Sequence, residues 1–273
     1  LMRQNRLICG LQYLEELEAD GRVVVLEALR RAKKEEDATR AALLRSFKTD
    51  RPPSDYEHFI YNIWNIAGGD DKDFFGHFPL LFMRELLHFY TKPEDTIYDP
   101  FAGSGTTIEA CEILERKYYC SDLTPKDKRI KQWDIALGLP PKLGPIDLAF
   151  LDPPYWLQAK ERYSADPKDL GNTTLDQFYE TVDGLLQRLA EHPVPRIAVV
   201  ISPTQWPNKS HAFEDHIFHF HETLARLGYC IIMRCVLPYS TQQYTGTIVT
   251  AAKKQSILLN IVRDLVIWER GES

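Results

Sequence analysis

Two short segments hold residues whose types and spacing could do chemistry. In TIYDPFAGSGTTIEACEILERKYYCSD (96–122) an apolar stretch ends in Asp99-Pro100-Phe101, and a turn follows with Gly103, Ser104 and Gly105. Thr106 and Thr107 then open a helical pattern, and a second apolar stretch runs out at Asp122-Leu123. A glycine turn between a strand and its helix lets backbone approach a ligand at a helix N-terminus, and an acid after the next strand can accept hydrogen bonds from ribose hydroxyls. That combination suits a nucleoside-bearing cofactor. It is not the dinucleotide fingerprint, because Ile108 stands where the third glycine would be, and it lacks the lysine of a P-loop. In IDLAFLDPPYW (146–156) a buried-type strand ends in Asp152-Pro153-Pro154-Tyr155-Trp156, so a carboxylate, a rigid backbone and aromatic rings stand at a strand's carboxyl end, where α/β sheets bind ligands. The prolines offer carbonyl acceptors without competing N–H groups. An exposed Tyr-Trp pair there suits stacking on a planar base.

These segments need a sheet to position them. Apolar stretches at 96–100, 117–122, 146–154, 196–203, 229–238 and 257–269 are bounded by turn formers, with helical patterns at 106–115, 174–190 and 211–227 between several of them. Residues 79–91 form a further helical pattern, with Pro79 as its first-turn proline. Strands separated by helices predict an α/β, doubly wound, mostly parallel Rossmann-like sheet covered on both faces. A connection without a clear helix between the last two strands predicts an antiparallel pair at one edge. The first 51 residues, rich in Glu, Lys, Arg, Ala and Leu, read as one or two amphipathic helices preceding a domain over 52–273. Leu1 ahead of Met2 reads as a cloning remnant or the start of an excised piece of a longer chain.

DPFAGSGTT and DPPYW, in this order and spacing, resemble the S-adenosylmethionine-dependent amino-methyltransferases of DNA, which methylate adenine N6 or cytosine N4 and carry a DPPY tetrapeptide. The resemblance runs from about residue 60 to 270 and takes in GHFPLLFMRELLHFY (76–90), SDLTP (121–125) and WDIALGLP (133–140). It implies a Rossmann-like methyltransferase domain in which Asp99, Pro100, Phe101, Gly103, Ser104, Gly105, Thr106 and Thr107 cradle the methionine part of S-adenosyl-L-methionine. Asp122, with Leu123 beside it, would hold the ribose, Asp134 the adenine amino group, and Phe78 and Pro79 would complete the pocket. Asp152 and the Pro153 carbonyl, within Asp152-Pro153-Pro154-Tyr155, would accept the N–H bonds of the target amine. Tyr155 would stack on the extruded base through its ring face, the hydroxyl being dispensable. Trp156 and, in the polar stretch 160–172 that could act as a lid, Tyr163 and Ser164 would be further substrate contacts. An Asp heading the tetrapeptide favours adenine over cytosine. An RNA amine methyltransferase and an inactive cofactor-binding partner subunit are the other readings. The intact turn and tetrapeptide speak against the latter.

Composition bounds the setting. Forty-four per cent hydrophobic residues in 273 supply a core, and no apolar run approaches the ~20 residues that cross a bilayer. A formal charge of −6 means that nucleic acid must be met by a local patch. The cluster KDKRIK (126–131) reads either as solvated surface or as phosphate contact. Five cysteines without CxxC spacing read as reduced thiols in the cytoplasm, with Cys111 and Cys120 in the core. His211, His216, His219 and His221 cannot all face one way on a helix, which argues against a metal site. No insertion between strands is long enough for a recognition domain. Target recognition is therefore assigned to the 156–172 loop, to the N-terminal helices or to a separate recognition subunit, with a homo-oligomer also open.

Overall fold

Residues 196–201 read as an uninterrupted apolar run, and their environment explains it. Ile197, Val199 and Ile201 pack into one core cluster, while Ala198 and Val200 pack into another on the opposite face. Such a strand lies in the middle of a sheet covered on both sides. The computed structural model describes residues 58, 61–64, 66, 79–156, 166–205, 213–238 and 245–271, all within the unit Glu57–Ser273. The proposed division at residue 51, with its N-terminal helices, lies outside the described residues, as do Phe78, Tyr163, Ser164 and His211.

The sheet has seven strands: β1 (Thr96–Asp99), β2 (Lys117–Asp122), β3 (Lys131–Gln132), β4 (Leu148–Leu151), β5 (Arg196–Ile201), β8 (Tyr229–Pro238) and β9 (Val262–Arg270). Their order is β3-β2-β1-β4-β5-β9-β8. The first five are parallel, β9 runs antiparallel to β5, and β8 runs antiparallel to β9. A small separate ladder pairs β6 (Thr204–Gln205) with β7 (Phe213–Glu214). One face is covered by α1 (Leu80–Tyr90) and α2 (Thr106–Ile113), through Phe82, Met83, Leu86, Leu87, Ala110 and Cys111. The other face carries α3 (Leu175–Glu191) and α4 (His216–Arg226), through Phe178, Leu185, Leu186, Leu189, Phe220 and Leu224. Helix α3 is started by a capping box, with Thr174 accepting from the Gln177 N–H and the Gln177 side chain accepting from the Thr174 N–H. Cys111 and Cys120 are core residues, as their apolar neighbours predict.

Two expectations are corrected. The β8–β9 connection is not helix-free: α5 (Gly246–Gln255) stands in it, with Thr245 accepting from the Ile248 N–H at its start. Its apolar residues, Ile248, Val249, Ala251 and Ala252, make only a short face, and none of its residues is buried. Pro79 is the residue just before α1, where its carbonyl accepts from the Phe82 N–H, rather than a member of the first turn. Among the described residues no helix is long and apolar enough to cross a membrane.

Candidate active site

Strand order alone brings three acids together. β1 lies between β2 and β4, and connections leave it in opposite directions across the sheet, so a crevice opens at the carboxyl ends of these strands. Asp99 ends β1, Asp122 ends β2, and Asp152 follows β4 directly. All three line one pocket, walled by Phe101, Trp133, Ile135 and Phe150.

The glycine turn is held by two of the acids. Asp99, 2% exposed, accepts from the Phe101 N–H at 2.9 Å and from the Thr107 hydroxyl at 2.5 Å. Asp122 accepts from the Gly103 N–H through one carboxylate oxygen and from the Thr124 N–H through the other, both at 2.8 Å. Gly103 and Gly105 take φ of +48° and +97°, the left-handed side that glycine tolerates. Gly105 is the N-cap of α2 and does not line the pocket. A Cβ built on it would meet Asp127 and Ile108 at ordinary contact distances. The cost of a side chain there is therefore backbone strain, not collision with a ligand. Gly105→Ala should lose about 1–3 kcal/mol, and Gly105→Val little more. Urea midpoints check this, and a neutral Gly105→Ala would contradict it.

Asp152 keeps part of its surface open to the pocket but is enclosed by protein over most of it. That burial pushes its pKa up to about 8, helped by the charge of Asp99 and opposed by Arg263 and by a hydrogen bond with Tyr155. Burial likewise raises Asp99 to about 7, against its bonds to Thr107 and the Phe101 N–H. His216, fully buried, is pushed down to about 4 by burial, against the charge of Glu214. These shifts act on stability with opposite signs. The unfolded chain protonates His216 near its ordinary value, so that contribution is lost as pH falls from about 6.5 towards 4. The two carboxyls stay protonated in the fold after the unfolded chain has ionised, so their contribution is lost as pH rises from about 4 through 7–8. Above about 6.5 the carboxyls titrate first, joined towards pH 8.5 by the thiols of Cys111, Cys120 and Cys235, which burial holds protonated, so the free chain's melting temperature should fall between pH 6.5 and 8.5. Asp99→Asn should flatten that fall, and an unchanged profile would contradict the account.

The Tyr155-Trp156 pair is half-buried, not exposed as the sequence suggests. The Trp156 indole N–H donates to the Thr173 carbonyl at 2.9 Å, and its ring meets His216 edge-on. Trp156 is thus turned into the protein, outside the pocket lining. Its carbonyl accepts from the Thr204 hydroxyl at 3.1 Å. His216 bridges Thr204 (2.9 Å) and the Tyr179 hydroxyl (2.8 Å), and Tyr179 donates to Glu214 at 2.6 Å. A buried polar chain therefore holds the end of the DPPYW turn. The Tyr155 hydroxyl is buried and bears on Asp152, whose pKa it lowers.

Of the other sequence-derived residues, Pro100, Ser104, Thr106, Leu123, Asp134 and Pro154 line the pocket, while Pro79, Pro153 and Tyr155 do not. Asp134 caps a short 3-10 helix by accepting from the Ala136 N–H and pairs with Lys168 at 3.2 Å. Met83, Trp133, Phe150, Lys168 and Leu170 also line the pocket and were not singled out from sequence, as does Lys126, which was read as part of a phosphate-contact cluster. Trp133 adjoins Asp134, and Lys168 and Leu170 fall in the polar stretch read as a lid, so a signal was present for these three. Within KDKRIK, Arg129 is engaged by Asp127 and Glu112, while Lys126 turns to the pocket.

A five-strand parallel order 3-2-1-4-5 extended by an antiparallel strand, with the glycine turn after β1 and the acid after β2, defines a Rossmann-like methyltransferase fold. Residues 24–132, which include that turn and acid, match the sequence family described as DNA methylase. The chain is 35% identical over 69 residues to the type II methyltransferase M.XycI of Xanthomonas campestris pv. cyanopsidis, covering 24% of this chain and 22% of that protein. It is 35% identical over 68 residues to the type II methyltransferase M.Cfr9I of Citrobacter freundii, covering 23% and 22%. The match thus spans about a fifth of each curated relative's length. Among solved structures, TrmN from Thermus thermophilus aligns with a TM-score of 0.42 at 17% identity, over 71% of this chain and 49% of that one.

Proposed function

We propose that this chain transfers a methyl group from S-adenosylmethionine to an exocyclic amine of a DNA base in the cytoplasm, with adenine N6 favoured over cytosine N4. The observation that carries the reading is that Asp122, beside the glycine turn, and Asp152, after β4, face one pocket. The DNA methylase match over 24–132 and the two type II relatives support DNA modification as the setting.

The residues present fit the cofactor. The lining sets four carboxylates, Asp99, Asp122, Asp134 and Asp152, among Phe101, Trp133, Ile135 and Phe150, a donor set for a cationic ligand with a diol and a planar base. Asp122 would hold the ribose, Asp134 the adenine amino group, and the turn from Pro100 to Thr107 the methionine part. When bound, the cofactor supplies an electrophilic methyl group.

The amine is a poor nucleophile because its lone pair is delocalised into the base. Accepting its N–H bonds on Asp152 and the Pro153 carbonyl favours a tetrahedral nitrogen with a localised lone pair. Once ionised, the same carboxylate can take the proton that the nitrogen sheds, and its raised pKa makes it a stronger base than an ordinary carboxylate. Tyr155 would offer its ring to the base. Incubating the chain with methyl-labelled cofactor and duplex DNA, single-stranded DNA or RNA, then analysing nucleosides by mass spectrometry, tests the reading. N6-methyladenine from DNA is expected. N4-methylcytosine alone would overturn the choice of base, and methylation confined to RNA the choice of polymer.

A further inference from the structure

The chain carries a net negative charge, yet residues 223–263, between Glu222 and Asp264, contain Arg226, Arg234, Lys253, Lys254 and Arg263 and not one Asp or Glu; of these, Arg234 is engaged by Asp264 at 2.9 Å. This run covers β8, the β8–β9 connection with α5, and the start of β9. Because β9 is antiparallel to both β5 and β8, β8 runs in the same direction as the parallel strands. The connection therefore leaves the sheet at the carboxyl end, the end at which Asp99, Asp122 and Asp152 also stand, three strand positions from β4.

Its base is fixed to that rim. The Gln205 side chain donates to the Leu258 carbonyl at 2.5 Å, and Asn260 donates to the Val262 carbonyl at 2.7 Å and to the Ser202 hydroxyl at 3.2 Å. Arg263, just beyond, bears on Asp152 itself. From this footing α5 stands with none of its residues buried. Lys253 and Lys254 are exposed in its last turn, and among the described residues neither has an ion-pair partner. Lysines in a last turn also suit the helix dipole, but one helix end does not require the whole run from 223 to 263 to be free of acids. A surface on the connection at this end of the sheet that combines lysines with Thr247 and Gln255 and itself bears no carboxylate is complementary to a polyphosphate backbone.

We propose that α5, through Lys253 and Lys254, is the surface on which duplex DNA docks to bring its target base to Asp152. The assignment rests on the methyltransferase reading above and supplies the local patch that an acidic chain needs. The patch positions the duplex and leaves target recognition to the 156–172 loop, the N-terminal helices or a partner, since phosphate contacts do not read sequence.

The test is binding of a short fluorescent DNA duplex to the full chain over a salt series, for wild type and a Lys253→Gln/Lys254→Gln variant. Two lost phosphate contacts should make the slope of log affinity against log salt shallower by about 2 and weaken binding roughly tenfold or more at ~0.1 M salt. Since α5 buries nothing, the variant should keep the wild-type circular dichroism, melting temperature and affinity for S-adenosylhomocysteine. Equal slopes and affinities in wild type and variant would overturn the docking surface while leaving the methyltransferase reading intact. A wild type that fails to bind S-adenosylhomocysteine would instead remove the reading on which the proposal rests. The proposal also falls if the variant loses affinity for an RNA hairpin while duplex DNA binding is unchanged. It falls too if α5 joins two copies of the chain, seen as a dimer that Ile248→Asp dissociates without altering the salt slope.

Discussion

Asp152→Ala should lower turnover by about 10²–10³-fold or more, the loss typical of removing a preorganised group that acts as the transition state forms. The acceptor matters as the nitrogen becomes tetrahedral, so affinity for S-adenosylhomocysteine should stay within a few-fold of wild type. The environment of Asp152 adds a pH signature. A protonated carboxyl can neither accept both the amine's hydrogen bond and its proton nor favour the localised lone pair. With its pKa raised to about 8 by burial and by Asp99, kcat/KM should climb with pH through a midpoint far above that of an ordinary carboxylate. Tyr155→Phe removes a bond that lowers this pKa, so it should move the midpoint upward while keeping the stacking face. Steady-state rates over a pH series check both. Near-normal turnover in Asp152→Ala would reopen the inactive-partner and different-chemistry readings.

The second large effect is on cofactor binding. Asp122→Ala should weaken S-adenosylmethionine by roughly ten- to a hundredfold, about 1.5–3 kcal/mol for losing a charged acceptor. The structure gives this residue two tasks. Its oxygens hold the Gly103 and Thr124 N–H groups, so the alanine variant also frees the glycine turn that would meet the ligand. Asp122→Asn keeps one acceptor and should fall between alanine and wild type. Calorimetric titration separates the three, and an unchanged affinity in folded Asp122→Ala would refute the ribose assignment.

The sheet was legible because its strands are either buried on both faces, as 196–201 is, or end in residues with a distinct task, as β1, β2 and β4 do. β3 escaped notice because two residues, Lys131 and Gln132, carry no periodicity. Helix α5 was missed for the opposite reason: a helix with nothing buried leaves only a short apolar face to read. At the site, the acids and glycines announced themselves by type. Met83 and Phe150 did not, because an apolar pocket wall looks in sequence like any core residue. The orientation of Trp156 was misjudged because its partners, Thr173, Thr204 and His216, lie 17 to 60 positions further along the chain.

The central claim is that one pocket serves both cofactor and target amine. Diffraction from crystals grown with S-adenosylhomocysteine tests it most directly. Ligand density is expected at the carboxyl ends of β1, β2 and β4, with the ribose on Asp122 and the sulfur turned towards Asp152. A ligand bound away from these strand ends, or one whose ribose makes no contact with Asp122, would contradict it.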